Sequence, residues 1–310
     1  MKHLDLTHLD HEAEAAWEGI LDLAQSCPTG WALAGGQSVY VQAALRGVAP
    51  RRPSSDADLV IDVRADGGAA RRIVDTLRAV GFEATRRDAN GRMHRWQRGA
   101  AQIDVLQPRY LGQRAESRLS HDGLETIAAP GAQHLLNRTE VVKVTLGSKS
   151  AEIRTPSILG VVIAKAAGFQ EIVSDPFRVR HLADILTVAP LIEPADIRAE
   201  APYTRLEKQR VGNAIAKLQK EEFVSELRTW FPDDLDARSQ SARRAHASQV
   251  RHSIAVRLGA VEVTATSSNI ALDQRGTGAR ALSAPSSTGT AARPGHGPHD
   301  HGAVTPGIGM

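Results

Sequence analysis

Apolar residues recur at helical spacing from residue 12 to 26, through Ala16, Ile20 and Leu23, and the short apolar run Trp31 to Ala34 then reads as a buried strand. Gly35-Gly36 follows. From Gln37 to Arg46 the pairs Val39/Ala43 and Tyr40/Ala44 restore the helical period, so the glycine pair falls at a strand-to-helix junction. After a basic loop, RGVAPRRPSS, the segment DADLVIDV predicts a strand. Ala69 to Val80 predicts an amphipathic helix through Ile73, Val74 and Leu77, closed by Gly81. Residues 93 to 98 and 101 to 106 predict two strands joined at Arg98-Gly99-Ala100, and Glu140 to Leu146 predicts a last strand. Thr155-Pro156 reads as a cap and first-turn pair, after which the chain is helical to about Trp230, punctuated by Pro176, Pro190, Pro194 and Pro232.

The order helix, strand, helix, strand, helix, hairpin predicts an α+β or α/β domain over residues 1–150, a mixed sheet flanked by helices. A helical domain is expected over 151–235. Residues 236–310 read as partly helical and then, beyond about 262, as Ser, Thr, Ala, Gly and Pro with almost no large apolar residue. Such a segment cannot bury enough surface to offset its ordering entropy, so a disordered C-terminal tail is expected.

Composition narrows the setting. The chain of 310 residues carries one cysteine, Cys27, so no internal disulfide can form and a cytoplasmic home is expected. The opening MKHLDLTHLDHEAEAAW is acidic and polar, unlike a signal peptide. The longest apolar stretch, Ile158 to Phe169, is interrupted by Lys165 and falls short of the roughly 20 residues a bilayer crossing needs, so no membrane partner is expected. The net charge of +3 with a pI near 9.2 points only weakly to a polyanionic partner. Arg51-Arg52 and the run Arg205, Lys208, Arg210, Lys217, Lys220 would suit phosphates, or would simply be solvated faces.

The chemistry centres on Asp56 and Asp58. Strand residues i and i+2 share a face, so DADLVID sets two carboxylates side by side. Their repulsion is relieved by a hard cation such as Mg²⁺, which also coordinates a triphosphate; the bland alternative is an ordinary exposed strand end. Asp62 lies roughly 13 Å further along at about 3.3 Å per residue and reads as a strand-end or surface acid. Asp104, between Ile103 and Val105, offers a third carboxylate from another strand. With two metals, one ion would activate the attacking hydroxyl and the other hold the phosphates, with an acid near the first ion as general base. Gly35, Gly36 and Ser38 would cradle phosphate at the helix start, or would form only a tight turn with a cap. Lys165 either snorkels to solvent or meets an anion, and a triphosphate is the expected partner; Asp184, a turn beyond Arg180 and His181, would pair with Lys165 or orient an acceptor. The tail histidines His296, His299 and His301 lack anything to orient them on a metal.

Together these residues resemble the polymerase-β-like nucleotidyltransferase superfamily: Gly35-Gly36-x-Ser38, then Arg52-x-Ser54-x-Asp56-x-Asp58, then Asp104. The motif order is similar to its AbiEii and MenT toxin branch, through Thr155-Pro156 with Lys165 and through Arg178-x-Arg180-His181-Leu182-x-Asp184. The resemblance covers about residues 30 to 190. It implies a Mg²⁺-dependent transferase with a nucleoside triphosphate as substrate, metal bound by Asp56, Asp58 and Asp104, nucleotide bound by Gly35, Gly36, Ser38 and Lys165, and Arg52 or Asp184 toward the acceptor. It further implies an RNA acceptor, most of all a tRNA 3′ end, and a cognate antitoxin; a small-molecule or protein acceptor, or a non-catalytic nucleotide or RNA binder, are the alternatives. Other phosphate and metal motifs are excluded, because Gly147-Ser148-Lys149-Ser150 lacks the earlier glycine and the Gly-Lys step of a P-loop and His11-Glu12 has no second histidine in register. Since the tail offers no core, truncation after residue 262 is expected to leave the melting temperature within about a degree of the full chain. A large drop in a thermal melt would show a docked segment.

Overall fold

The computed structural model describes residues 1–49, 54–87, 93–109, 111–112, 126–173 and 175–260, all within one compact unit, Met1–Ser268. The predicted tail and its histidines, together with Arg51 and Arg52, lie outside the described residues. The main sheet runs β2 (Trp31–Ala34), β3 (Ala57–Ile61), β6 (Ala101–Pro108), β5 (Met93–Arg98), β4 (Glu83–Arg87), with β7 (Ile127–Ala129) beside the end of β6. β3 and β6 are parallel, whereas β2–β3, β6–β5 and β5–β4 are antiparallel, so the sheet is mixed. A second sheet takes the order β1 (Lys2–Asp5), β8 (Thr139–Leu146), β9 (Lys149–Pro156).

β2 and β3 are short apolar runs because both faces of the sheet are covered there. One face packs Leu33, Leu59, Ile61 and Ile103 with Trp17 and Ile20 of α1 (His11–Ser26) and Ile73 and Leu77 of α3 (Ala69–Ala79). The other packs Ala32, Ala34 and Val60 on Leu135 and Leu136 of α4 (Ala132–Leu136). Between β2 and β3 runs α2 (Gly35–Ala44), which starts at the first glycine of the pair. A further core joins Val39 of α2 to the helical half: α5 (Ile158–Glu171), α6 (Val179–Val188), α7 (Pro194–Ala199), α8 (Arg205–Lys217), α9 (Glu221–Trp230) and α10 (Leu235–Arg257). The architecture is therefore mixed α+β with helices flanking the sheets and a helical C-terminal part. Among the described residues no helix is long and apolar enough to cross a membrane.

The sheet-to-helix transition differs from the sequence expectation. Glu140 to Leu146 is not the last strand, because β9 folds back on it through Gly147 at φ +57°, and Thr155-Pro156 ends that strand instead of opening a helix. The cap is Ser157, whose Oγ accepts from the Gly160 amide at 3.2 Å. Only Ala151 and Ile153 alternate in β9, too few to mark a strand against its polar residues.

A buried cluster fixes the helical half to the sheet. Arg138, just before β8, donates to Glu200 at 2.9 Å, to Glu207 at 3.0 and 3.2 Å, and to the carbonyls of Ala201 and Pro202 at 2.8 and 3.2 Å. Glu207 also closes the capping box of α8 with Thr204. Removing one member of such a cluster strands the other charges away from water. Arg138→Met is expected to destabilise the fold by about 3–5 kcal/mol in urea unfolding. A loss below about 1 kcal/mol would show that the cluster contributes little.

Candidate active site

Asp58 sits in β3 in register with Ala34 of β2 on one side and Asp104 of β6 on the other. Because α2 begins directly after Ala34, the Asp58 side chain lies over the backbone of Gly35. A Cβ on Gly35 would stand 1.7 Å from Asp58 Oδ2, and Gly35 has φ +59°, so space and backbone both demand glycine. Gly35, expected at a phosphate, has the Asp58 carboxylate as its close neighbour. Gly36 occupies the same first turn and is half-buried. Ser38 is buried and donates its hydroxyl to the Gly35 carbonyl at 2.9 Å.

Strand alternation sets Asp58 and Asp104 but not Asp56, since β3 starts at Ala57. Asp56 instead ends the loop that enters the strand, and its Oδ1 accepts from Ser54 Oγ at 2.9 Å. Asp104 is buried and meets Arg95 of β5, its register partner, through two parallel bonds, Nε to Oδ1 at 2.8 Å and Nη2 to Oδ2 at 2.7 Å. Withdrawal from water, and then the charges of Asp56 and Asp104, push the Asp58 carboxyl up to about 7, against the pull of Lys165 and Arg180.

Those two cations come from the helical half. Lys165 of α5 is buried and pairs with Asp184 of α6 at 2.6 Å, so Lys165 does not snorkel and the ion pair expected for Asp184 is present. Arg180 pairs with Asp175 at 2.9 Å. Between them His181 has both ring nitrogens enclosed without a partner, and burial followed by the nearby Lys165 charge drives its pKa down to about 3, so it is neutral. Asp62 is a strand-end acid but not a surface one: it is buried and bound to Arg154 at 2.7 Å.

Among the described residues no three acidic, histidine or cysteine side chains already close on a common point as a metal cluster. Asp56, Asp58 and Asp104 are nevertheless oxygen donors of the kind a hard divalent cation takes, with both oxygens of Asp104 engaged by Arg95. Arg95 belongs to the site and is absent from the sequence reading. Arg95 was countable, since a two-residue turn at Gly99-Ala100 sets Arg95 opposite Asp104.

No protein-family model matches the chain, and no curated protein matches it. A solved structure described as an antigenic nucleotidyltransferase-like protein from Paracoccidioides brasiliensis is similar with a TM-score of 0.44 and 15% sequence identity, covering 70% of this chain and 92% of that one.

A carboxyl whose folded pKa lies above its unfolded value takes up a proton in the folded state, so it favours folding at low pH and loses that contribution as pH rises from about 4 to about 7. Asp58→Asn is therefore expected to stabilise the metal-free protein at pH 8 by about 2–4 kcal/mol, with the gain vanishing near pH 4. Denaturation in chelator at both pH values checks this, and equal stability of the two proteins at pH 8 would contradict it.

Proposed function

We propose that this chain is a Mg²⁺-dependent nucleotidyltransferase that moves a nucleoside monophosphate from a nucleoside triphosphate to an acceptor. The observation that carries the reading is Asp58, set between Asp56 and Asp104 and within the field of Lys165 and Arg180. Carboxylates suit divalent metal and cations suit phosphate oxygens, which is the division of labour that phosphoryl transfer needs. When bound at Asp56, Asp58 and Asp104, the metal supplies charge neutralisation for the phosphates and a more acidic acceptor hydroxyl.

The chain's own residues do the rest. Lys165 has three N–H donors, and pairing with Asp184 leaves donors for phosphate oxygens. Gly35, Gly36 and the first turn of α2 would offer backbone amides to the phosphates, as helix starts do. The acceptor oxygen forms a bond to the α-phosphorus, the bond to the bridging oxygen breaks, and pyrophosphate leaves. The hydroxyl proton passes to a carboxylate of the acidic group, with Asp104 held in orientation by Arg95.

For the acceptor we propose RNA, most of all a tRNA 3′ end, with the chain acting in the cytoplasm as a toxin-like protein opposed by a cognate antitoxin. Arg205 and Lys220 are exposed and so able to follow a phosphate backbone, whereas Arg210 of the same run is already bonded to Glu171. Arg51 and Arg52, which lie outside the described residues, are further cations that the sequence offers to such a partner. A second reading, a nucleotide or RNA binder without turnover, is favoured by the bidentate hold of Arg95 on both oxygens of Asp104.

Incubation with each labelled nucleoside triphosphate, Mg²⁺ and total RNA is expected to give labelled RNA. Asp58→Asn should lower transfer by about 100-fold or more with the fold intact, and Lys165→Ala should weaken triphosphate use. Label on a small molecule or protein alone would overturn the acceptor. Nucleotide binding without product under every condition would overturn the transferase and favour the second reading.

A further inference from the structure

We infer that Gln37 is a positioning residue for Asp56, so that the segment Gly35-Gly36-Gln37 serves as a mould for the acidic pair; this rests on the metal-site reading above. Gln37 is 2% exposed and makes two side-chain bonds: its Oε1 accepts from Trp17 Nε1 at 2.8 Å, and its Nε2 donates to the Ser54 carbonyl at 2.6 Å. The indole N–H can only donate, so Trp17 fixes which end of the amide faces it and aims the –NH₂ at Ser54. Ser54 in turn donates its hydroxyl to Asp56 Oδ1 at 2.9 Å. The direction of donation is consistent along the whole chain, from Trp17 in α1 through α2 to the loop and its carboxylate.

The need for such a device follows from where β3 begins. Asp58 is placed by ladder register and by Gly35, but Asp56 stands before the strand and has no ladder bonds to hold it. A loop carboxylate beside two others would swing away from them toward water unless tethered. Gln37, rigid on the first turn of α2, ties the loop backbone at Ser54 two residues from Asp56, while Gly35 two residues earlier seats Asp58. One turn of helix thus locates both members of the pair.

Gln37→Glu keeps an acceptor for Trp17 but has no N–H for Ser54, and Ser54→Ala removes only the half-exposed hydroxyl, so its fold is not in question. The test is Mn²⁺ binding to the full chain by calorimetry at pH 7.5, beside thermal melts of each protein. Wild type is expected to bind and Asp58→Asn to lose binding. Gln37→Glu and Ser54→Ala should each weaken Mn²⁺ affinity by about tenfold, the scale of outer-shell losses at metal sites, with Ser54→Ala melting as wild type does. Both variants binding within twofold of a wild type that does bind would overturn the role of Gln37 and leave the metal site standing. A wild type that takes up no Mn²⁺ would overturn the metal reading and this assignment with it.

Discussion

The contact between the Asp58 carboxylate and the backbone of Gly35 constrains everything around it. Its closeness excludes any side chain at Gly35, which stands in the left-handed region at the point where β2 stops and α2 starts. It also withdraws Asp58 from water beside two like charges, which raises the affinity of that group for a proton or another cation. The fold tolerates this because its apolar layers are secured elsewhere, on both faces of β2 and β3.

The acids and the cations belong to different layers. Asp56, Asp58 and Asp104 ride on the sheet and its entry loop, whereas Lys165 and Arg180 ride on α5 and α6. Their relative placement depends on the seam between sheet and helices, where Val39 of α2 packs into the helical core and Arg138 binds Glu200 and Glu207. A buried ion cluster is a poor source of net stability compared with apolar packing of similar volume, but it accepts few alternative geometries. That property suits a seam on which charged groups must face one another.

Much of this was legible because strong local rules operated. The strands Trp31–Ala34 and Ala57–Ile61 follow from apolar runs, α3 from its apolar stripe and Gly81, and the β5–β6 hairpin from its glycine turn. Asp58 and Asp104 were legible as acids in alternating strands, and Lys165 as a lone charge on an apolar helix. What stayed hidden depended on long-range partners: β1, β4 and β9 carry too few apolar residues to signal a strand and exist because neighbours supply the ladder. Gln37 looks like any polar helix residue until Trp17 and the Ser54 carbonyl are brought to it from elsewhere in the chain. Asp62 read as a strand-end or surface acid, and its burial was hidden for the same reason, since Arg154 reaches it across 92 positions of sequence.

The two-residue turn at Gly99-Ala100 fixes the alignment of β5 with β6, and hence which side chain of β5 stands opposite Asp104. Side chains alternate faces along a strand, so a single residue inserted into that turn would replace the Arg95 guanidinium with a neighbour pointing the other way. The turn is solvent-exposed and its residues touch nothing in the site, so by ordinary expectation it would accept a change of length. In this chain the length of a surface hairpin is part of the charge arrangement of the site, and drift in sequence length there would be read as a change in its chemistry.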